Sequence, residues 1–300
     1  MSSSDALREI AETTLSAIRV GLFHLNDTDY DLRTKTSEQL TEWYSPSLSL
    51  PPWTPTPFVT PTTDITIREI STLQAAQWLA VHPHNNITNQ RKIGILNFAS
   101  ATKPGGGFIN GAQAQEESIA RSSTLYPTLL TRTAQEFYNL HRLEANNGYY
   151  SHSLIYSPRI VVFRDDYGGW IEPFQVDVLT SAAVNAGEVR KTLRGQMLRR
   201  VIEADIESQM GERMSRILFL FEKKGVKNLV LGSFGTGVFR NDVDVVARLW
   251  ADLLSVPGAR FRNSFDRIVF AIIGKKTFVD FENAYNARKY QNQTVHVIRV

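Results

Sequence analysis

Short apolar segments of strand length alternate with segments of helical periodicity from about residue 64 onward, and this alternation limits the possible folds more than any other feature. The segments Lys92 to Phe98, Asn228 to Gly232 and Arg267 to Ile273 are apolar over most of their length, which is typical of strands buried on both faces of a sheet. Ser71 to Gln74 has the form of a capping box and predicts a helix that ends near Val81. The pattern predicts an α/β sandwich with a mostly parallel central sheet.

The first 63 residues have a different pattern and are expected to form an N-terminal extension to a main domain over residues 64–300. Apolar residues recur at helical spacing over residues 5–25, and a second short helix is expected from Ser37 to Trp43. Residues 45–63 contain six prolines, so they are expected to form an extended arm. Two aromatic side chains within this arm, Trp53 and Phe58, favour packing on the core over a free linker.

The periodicity predicts further elements within the main domain. A helical region is expected over residues 190–225, with a break near Gly211. The other predicted strands are 65–70, 154–156, 160–163, 174–180 and an edge strand at 294–300, and the other predicted helices are 116–125, 131–144, 242–256 and 277–288.

Two glycine-rich loops follow predicted buried strands, at the sheet edge where open α/β folds bind their ligands. The first contains Gly105, Gly106 and Gly107, and the seven residues 108–114 separate it from Gln115, Glu116 and Glu117 at the start of a predicted helix. Glycines without a Cβ allow close approach to the main chain, and exposed amides in such a turn bind anions. A flexible surface loop and ordinary acidic residues in a first helical turn would explain each feature separately.

The second loop, Gly235-Thr236-Gly237-Val238-Phe239, lies between a predicted strand and the next helix. A glycine turn in this position is suited to phosphate, because its amides and the helix N-terminus favour an anion. A tight packing turn would give the same pattern. Together the two loops predict a site that holds a diphosphate from two sides.

The first loop and the following helix start resemble the signature of the poly(ADP-ribose) glycohydrolases, in which three glycines precede a Gln-Glu-Glu sequence. The wider segment from Leu96 to Tyr126 is similar to the microbial branch of that family, and the second loop resembles the Gly-x-Gly-Val-Phe pattern of the same branch. The resemblance covers about residues 70–285. It implies a macrodomain-like three-layer α/β/α sandwich with a mixed, mostly parallel sheet and an N-terminal helical extension.

The resemblance also implies roles for the matching residues. Glu117 would be the catalytic acid/base and Glu116 its helper. Asn97 would contact the distal ribose, and Phe239 would pack against the terminal ribose. The other residues implied to bind the ligand are Gly105, Gly106, Gly107, Phe108, Gln115, Gly235, Thr236, Gly237 and Val238.

The activity that the resemblance implies is hydrolysis of the ribose–ribose O-glycosidic bonds of poly(ADP-ribose), from chain ends, with release of ADP-ribose. The expected partners are ADP-ribose, poly(ADP-ribose) and ADP-ribosylated proteins. Two alternatives stay open: a mono-ADP-ribosyl hydrolase acting on modified protein or nucleic acid, and a reader that binds ADP-ribose without catalysis. The intact sequence Gln115-Glu116-Glu117 disfavours a reader, which has no use for a positioned acid.

Composition disfavours several other kinds of site and partner. The chain has no cysteine, which excludes disulfides and thiolate metal sites and agrees with an intracellular location. The formal net charge is +3 without a basic block, so direct nucleic-acid binding is not expected. No apolar run approaches the roughly 18 residues of a membrane span, so no membrane association is expected. The pair Asp165 and Asp166 lacks a partner motif, and neither a metal nor a cofactor is expected.

Overall fold

A mixed sheet of seven strands forms the centre of the described part of the protein. The computed structural model describes residues 3–47, 50, 63–82, 92–144 and 146–291. Its strands are β1 (Leu22–Leu25), β2 (Thr28–Asp31), β3 (Glu42–Tyr44), β4 (Asp64–Arg68), β5 (Ile93–Phe98), β6 (Leu154–Arg164), β7 (Trp170–Ser181), β8 (Asn228–Leu231) and β9 (Arg267–Ala271).

Helices cover both faces of this sheet. They are α1 (Ser3–Val20), α2 (Lys35–Gln39), α3 (Thr72–Val81), α4 (Gln115–Ser122), α5 (Leu125–Leu129), α6 (Arg132–Leu143), α7 (Ala186–Lys191), α8 (Leu193–Met197), α9 (Arg199–Lys223), α10 (Val243–Leu254) and α11 (Lys275–Tyr290). Within the described ranges, no helix combines the length and the apolar character that crossing a membrane requires.

The strand order is β3-β6-β7-β5-β8-β9-β4. The pairs from β7 to β4 are parallel, whereas β6 runs antiparallel to both β3 and β7. The prediction of a mixed, mostly parallel sheet is therefore confirmed. Because β5, β8, β9 and β4 are parallel, their carboxyl ends share one edge of the sheet, and both glycine loops start from that edge.

The two faces of the sheet pack against different helices. Successive strand residues point to opposite faces, so Ile95 and Leu96 of β5 enter separate cores. Ile95 packs with side chains of α3, α4, α5 and α6, whereas Leu96 packs with those of α7, α9, α10 and α11. The sheet thus lies between two helical layers, as the three-layer prediction requires.

Helix α1 packs over the first glycine loop and α4. Ala11 shares a small apolar cluster with Phe108 and Ala120. The Thr14 hydroxyl donates to the carbonyl of Arg121 at 2.7 Å. These contacts bring the N-terminal helix to the sheet edge that carries the loops, while the boundary at residue 63 stays a prediction.

The predicted helix over residues 5–25 is too long. Helix α1 ends at Val20, because Gly21 takes a left-handed φ of +84° and so ends the helix. Strands β1 and β2 follow as an antiparallel hairpin with left-handed Asn26 and Asp27 at its turn, a geometry that suits a two-residue hairpin turn.

The predicted helix from Ser37 to Trp43 is also too long, because α2 ends at Gln39. Residues Glu42–Tyr44 instead form the edge strand β3, paired with Leu154–Tyr156 of β6. A strand this short depends on its distant partner, so local periodicity does not reveal it.

The predicted strands 154–156 and 160–163 belong to one long strand, β6, which forms a hairpin with β7. The apparent interruption is a register shift between Ser157 and Ile160, where Arg159 adopts φ +57°. Such a bulge bends a strand without ending it. Two predicted features, residues 51–62 of the proline-rich arm and the edge strand 294–300, lie outside the described residues.

The predicted break near Gly211 is wrong. Helix α9 runs without interruption through this position. Its neighbours Met210 and Met214 are buried in the core, and their burial outweighs the cost of a helical glycine, about 1 kcal/mol.

A Gly211→Ala variant tests the continuity of α9. A Cβ at Gly211 would lie 3.3 Å from the Leu249 side chain, which is only partly buried and can move slightly. We expect the free energy of unfolding to rise by about 0.5–1 kcal/mol, because alanine favours helix and narrows the unfolded ensemble. Chemical denaturation would measure the free energy of unfolding, and a less stable Gly211→Ala variant would contradict a regular helix at Gly211.

Candidate active site

A single cleft of about 1260 Å³ runs along the carboxyl edge of the sheet. It is lined by α1, the β4–α3 junction, the first glycine loop with the start of α4, the turn between β6 and β7, the second glycine loop and the start of α11. The two loops that the sequence singled out therefore face one another across the same space.

The first loop approaches the acidic pair of α4 more closely than any residue with a side chain could. Gly106 has φ +61°, and a Cβ there would lie 2.3 Å from Glu117 Oε1 and 3.1 Å from Glu116 Oε2. Gly105 is also left-handed, with φ +67°. A side chain at this position would therefore strain the backbone and displace the Glu117 carboxyl group.

The side chain of Glu117 lines the cleft and is held by the loop. Its Oε1 accepts a hydrogen bond from the Gly107 amide at 2.9 Å. A carboxyl group fixed at one oxygen keeps its other oxygen available to a bound molecule. Of the two adjacent glutamates, Glu117 is the more exposed to the cleft.

The side chain of Glu116 is almost completely buried behind the loop. Its Oε2 accepts from the Ser100 amide at 2.6 Å, and Asn97 Nδ2 donates to Oε1 at 3.4 Å. Burial raises the pKa of Glu116 to about 8; the Ser100 hydrogen bond opposes this shift, and the neighbouring charge of Glu117 adds to it. Glu116 is therefore mostly protonated at neutral pH.

The side-chain amide of Gln115 attaches α4 to the end of β5. Its Oε1 accepts from the Phe98 amide at 2.8 Å, and its Nε2 donates to the Leu96 carbonyl at 2.7 Å. A further hydrogen bond runs from Nε2 to Thr72 Oγ1 at 3.2 Å. These bonds fix where α4 begins and hence the direction of both glutamates.

The second loop lines the cleft and contains amides without a hydrogen-bond acceptor in the part of the chain that the structure describes. Gly235 has φ +76° and packs so tightly that a Cβ would lie 2.4 Å from Ala183 Cβ. Beyond it, the amides of Gly237, Val238 and Phe239 donate to no acceptor among the described residues. Free amides beside an open glycine form a site for an anion such as a phosphate.

Most of the predicted site residues meet in the cleft, but three do not line it. Asn97 is buried beneath Glu116, and Phe108 is buried with its ring 4.8 Å from that of Tyr126. Gly105 lies against the Phe108 ring. The ligand contacts implied for these residues stay predictions, and their visible role is to support the first loop from behind.

Several cleft residues were not among the site residues predicted from the sequence. Asp166 lines the cleft and accepts from Ser71 Oγ at 2.5 Å, and burial raises its pKa. Arg121, buried between Glu117 and Asp166, donates to the Ala112 carbonyl at 2.6 Å. Leu7 and other residues of α1 close one side. Arg121 lies within the recognised motif, but nothing local in the sequence associates α1 with the cleft.

The arrangement combines the carboxyl group of Glu117, which the first loop holds at the cleft, with the amides of the second loop that no described residue accepts from. Within the described ranges, no group of three or more His, Cys, Asp or Glu residues could hold a metal ion. A carboxyl group can protonate a leaving oxygen and later accept a proton from water. The site therefore suits cleavage of a bond next to a phosphate-bearing sugar.

Comparisons with known proteins agree with this geometry. The family model for the catalytic domain of microbial-type PARG, or poly(ADP-ribose) glycohydrolase, matches residues 11–165. A poly(ADP-ribose) glycohydrolase structure from Thermomonospora curvata is similar with 32% identity and a TM-score of 0.79, covering 95% of this chain and 99% of that one. No curated protein sequence matches the chain.

Two ligand-bound structures are also similar. One is the Thermomonospora curvata enzyme bound to the inhibitor ADP-HPD, with 31% identity, a TM-score of 0.77 and coverage of 95% of this chain and 99% of that one. The other is a poly(ADP-ribose) glycohydrolase from Deinococcus radiodurans in complex with ADP-ribose, with 27% identity, a TM-score of 0.69 and coverage of 90% and 99%.

The raised pKa of Glu116 makes the stability of the fold depend on pH. In the unfolded chain Glu116 loses its proton near pH 4.5, whereas in the folded protein it keeps the proton until about pH 8. Relative to a Glu116→Gln variant, the wild type should therefore lose stability as the pH rises through this window, by up to about 1.4 kcal/mol per pH unit. Denaturant titrations at several pH values between 4.5 and about 8 would measure the difference in unfolding free energy between the wild type and the variant. A difference that does not change with pH would contradict the raised pKa of Glu116.

Proposed function

The chain belongs to the microbial-type poly(ADP-ribose) glycohydrolase family, and we propose that Glu117 is the residue with which it cleaves the ribose–ribose bonds of its substrate. Membership of the family decides between the activities that the sequence left open. The protein is a glycoside hydrolase that acts on poly(ADP-ribose). Its ligand is ADP-ribose, which a similar enzyme holds in its crystal structure.

The hydrogen bond from the Gly107 amide to Glu117 is the observation that supports this role best. In the first half of the reaction, Glu117 donates its proton to the leaving ribose oxygen as the anomeric carbon–oxygen bond breaks. The sugar passes through a transition state that resembles an oxocarbenium ion. In the second half, the Glu117 carboxylate takes a proton from water as the water oxygen bonds to the anomeric carbon, so the acid form is restored.

Glu116 acts as the helper of Glu117 in this proposal. Because burial raises its pKa to about 8, Glu116 does not place a second negative charge beside Glu117 at neutral pH. Its hydrogen bonds with the Ser100 amide and Asn97 hold the first loop in place. A contact between Asn97 and a ribose is also part of the proposal, because the resemblance to the family implies it.

The free amides of the second loop hold the diphosphate of ADP-ribose in this proposal. Three successive amides, from Gly237 to Phe239, have no partner among the described residues, and such amides favour phosphate oxygens. The Phe239 ring lines the cleft and packs against the terminal ribose. Gly106 and Gly107 lie against Glu117, so the sugar to be cleaved would bind between the two loops.

Several finer features of the sequence analysis stay proposals. Cleavage proceeds from chain ends, and ADP-ribosylated proteins carry the polymer to the enzyme. Nucleic acid is not bound directly, and the protein acts inside the cell. Release of ADP-ribose monomers rather than oligomers would distinguish end cleavage from internal cleavage.

A Glu117→Gln variant tests the catalytic assignment. Glutamine keeps the size of the side chain and can still accept from the Gly107 amide, but it cannot transfer the proton. We expect turnover of poly(ADP-ribose) to fall by roughly 10²–10⁴-fold, while the Kd for ADP-ribose stays close to that of the wild type. Release of ADP-ribose and calorimetric titration would measure the two quantities.

Glu136→Gln is the matched control, because Glu136 is exposed on α6 and away from the cleft. It should keep wild-type turnover. Near-normal turnover by Glu117→Gln would rule out its role as acid/base. A parallel assay with singly ADP-ribosylated protein would report the preference for polymer over the single modification.

A further inference from the structure

The guanidinium of Arg213, in the middle of α9, is fully buried and has no carboxylate partner among the described residues. It donates to two main-chain carbonyls instead, Nη1 to Ala182 at 2.8 Å and Nη2 to Tyr149 at 2.9 Å. Burial lowers its pKa to about 9, so it is charged at neutral pH. A buried charge without a counter-ion is costly. This cost suggests that fixing the two carbonyls has a function.

The carbonyl of Tyr149 belongs to a short segment, residues 149–152, that lies between α6 and α9. Arg213 Nε donates to His152 Nδ1 at 3.3 Å, and burial together with Arg213 lowers the pKa of His152 to about 4, so this ring is neutral. From the other side, His141 Nε2 accepts from the Ser151 amide at 3.1 Å. The segment is therefore fixed from two helices.

The chain over residues 146–150, which leads into this segment, carries backbone strain. Asn146, Asn147, Gly148 and Tyr150 all have positive φ, between +45° and +97°. A tyrosine in this conformation is strained, whereas asparagine adopts it more readily. The surrounding hydrogen bonds must hold the strained chain in place, and strained positions of this kind tend to cluster near functional sites.

The strained segment supports Phe239. The rings of Tyr150 and Phe239 lie 6.0 Å apart, within the range of an aromatic pair. The Asn185 amide donates to the Gly148 carbonyl at 2.7 Å, and the Gly187 amide donates to the Phe239 carbonyl at 3.1 Å. Tyr150 itself does not line the cleft, so any effect it has on a bound sugar passes through Phe239.

The carbonyl of Ala182, which Arg213 also binds, lies next to the other end of the second glycine loop. Ala182 precedes Ala183, and Ala183 packs directly behind Gly235 at the start of the second loop. One guanidinium therefore fixes the wall behind Gly235 and the segment behind Phe239. Both ends of the second glycine loop therefore depend indirectly on the same buried guanidinium.

We propose that Arg213 and Tyr150 are positioning residues, which hold the Phe239 ring at the angle and depth required against the sugar during bond cleavage. The inference rests on the proposed function of Phe239, since it assigns the support for that residue's contact. Arg213 acts through the carbonyls of Tyr149 and Ala182, and Tyr150 acts through its ring. Neither touches the substrate.

A double-mutant cycle between Tyr150→Ala and Phe239→Ala tests the proposal. Alanine at position 150 keeps the left-handed backbone but removes the ring. We expect kcat on poly(ADP-ribose) to fall roughly 10- to 100-fold in Tyr150→Ala, as small misplacements of reacting groups do, with the Kd for ADP-ribose within about threefold of wild type. Adding Tyr150→Ala to Phe239→Ala should lower kcat no further, because the ring it supports is already absent.

Arg213→Lys is the second variant, because lysine keeps the charge but cannot bind two carbonyls in a fixed geometry. It should lower kcat while leaving the Kd for ADP-ribose nearly unchanged. Arg248→Lys, at an exposed position on α10, is the matched control and should behave as wild type. Thermal unfolding would show whether Arg213→Lys folds. If it does not, the double-mutant cycle between Tyr150→Ala and Phe239→Ala tests the proposal by itself.

Effects of Tyr150→Ala and Phe239→Ala that multiply in the double variant would overturn the proposal, as would a Tyr150→Ala kcat equal to that of wild type. Failure of the proposed function would look different, since the wild type would then release no ADP-ribose or Phe239→Ala alone would have no effect.

Discussion

The contact between Gly106 and the two carboxyl groups of α4 is the constraint on which the rest of the site depends. A single methyl group at Gly106 would lie 2.3 Å from Glu117 Oε1 and 3.1 Å from Glu116 Oε2, so any side chain there would displace the Glu117 carboxyl group from its present position. This proximity gives Glu117 its hydrogen bond with Gly107 and confines Glu116 to the interior. Two adjacent glutamates thereby acquire opposite environments, one open to the cleft and one desolvated.

The sheet supplies the framework for this contact. Because β5 and β8 are parallel neighbours, the loops that follow them leave from the same edge and meet across one cleft. Gln115 attaches the start of α4 to β5, and Arg213 attaches α9 to Ala182, directly after β7, and to Tyr149. Each of these side chains makes hydrogen bonds with main-chain groups near one of the two loops.

Much of the fold was predictable from the sequence because its determinants are local. Buried strands such as β5 are continuous apolar runs, the capping box at Ser71 marks the start of α3, and the glycine loops stand out in the sequence. The strand β3, the continuity of α9 and the approach of α1 to the cleft were not predictable, because each depends on packing with residues far away in the chain. The same reason explains the burial of Asn97 and Phe108, and the role inferred for Arg213, a single charged residue within a long helix.

The most direct measurement of the central claim compares Gly106→Ala with Gly225→Ala in the release of ADP-ribose from poly(ADP-ribose). Both glycines are left-handed, with φ +61° and +69°, but a Cβ at Gly225 would meet nothing within 4 Å, so this pair separates backbone strain from displacement of the carboxyl groups. The account requires that Gly106→Ala lose at least about 100-fold in rate while Gly225→Ala stays near the wild type. Equal rates for the two variants would contradict it.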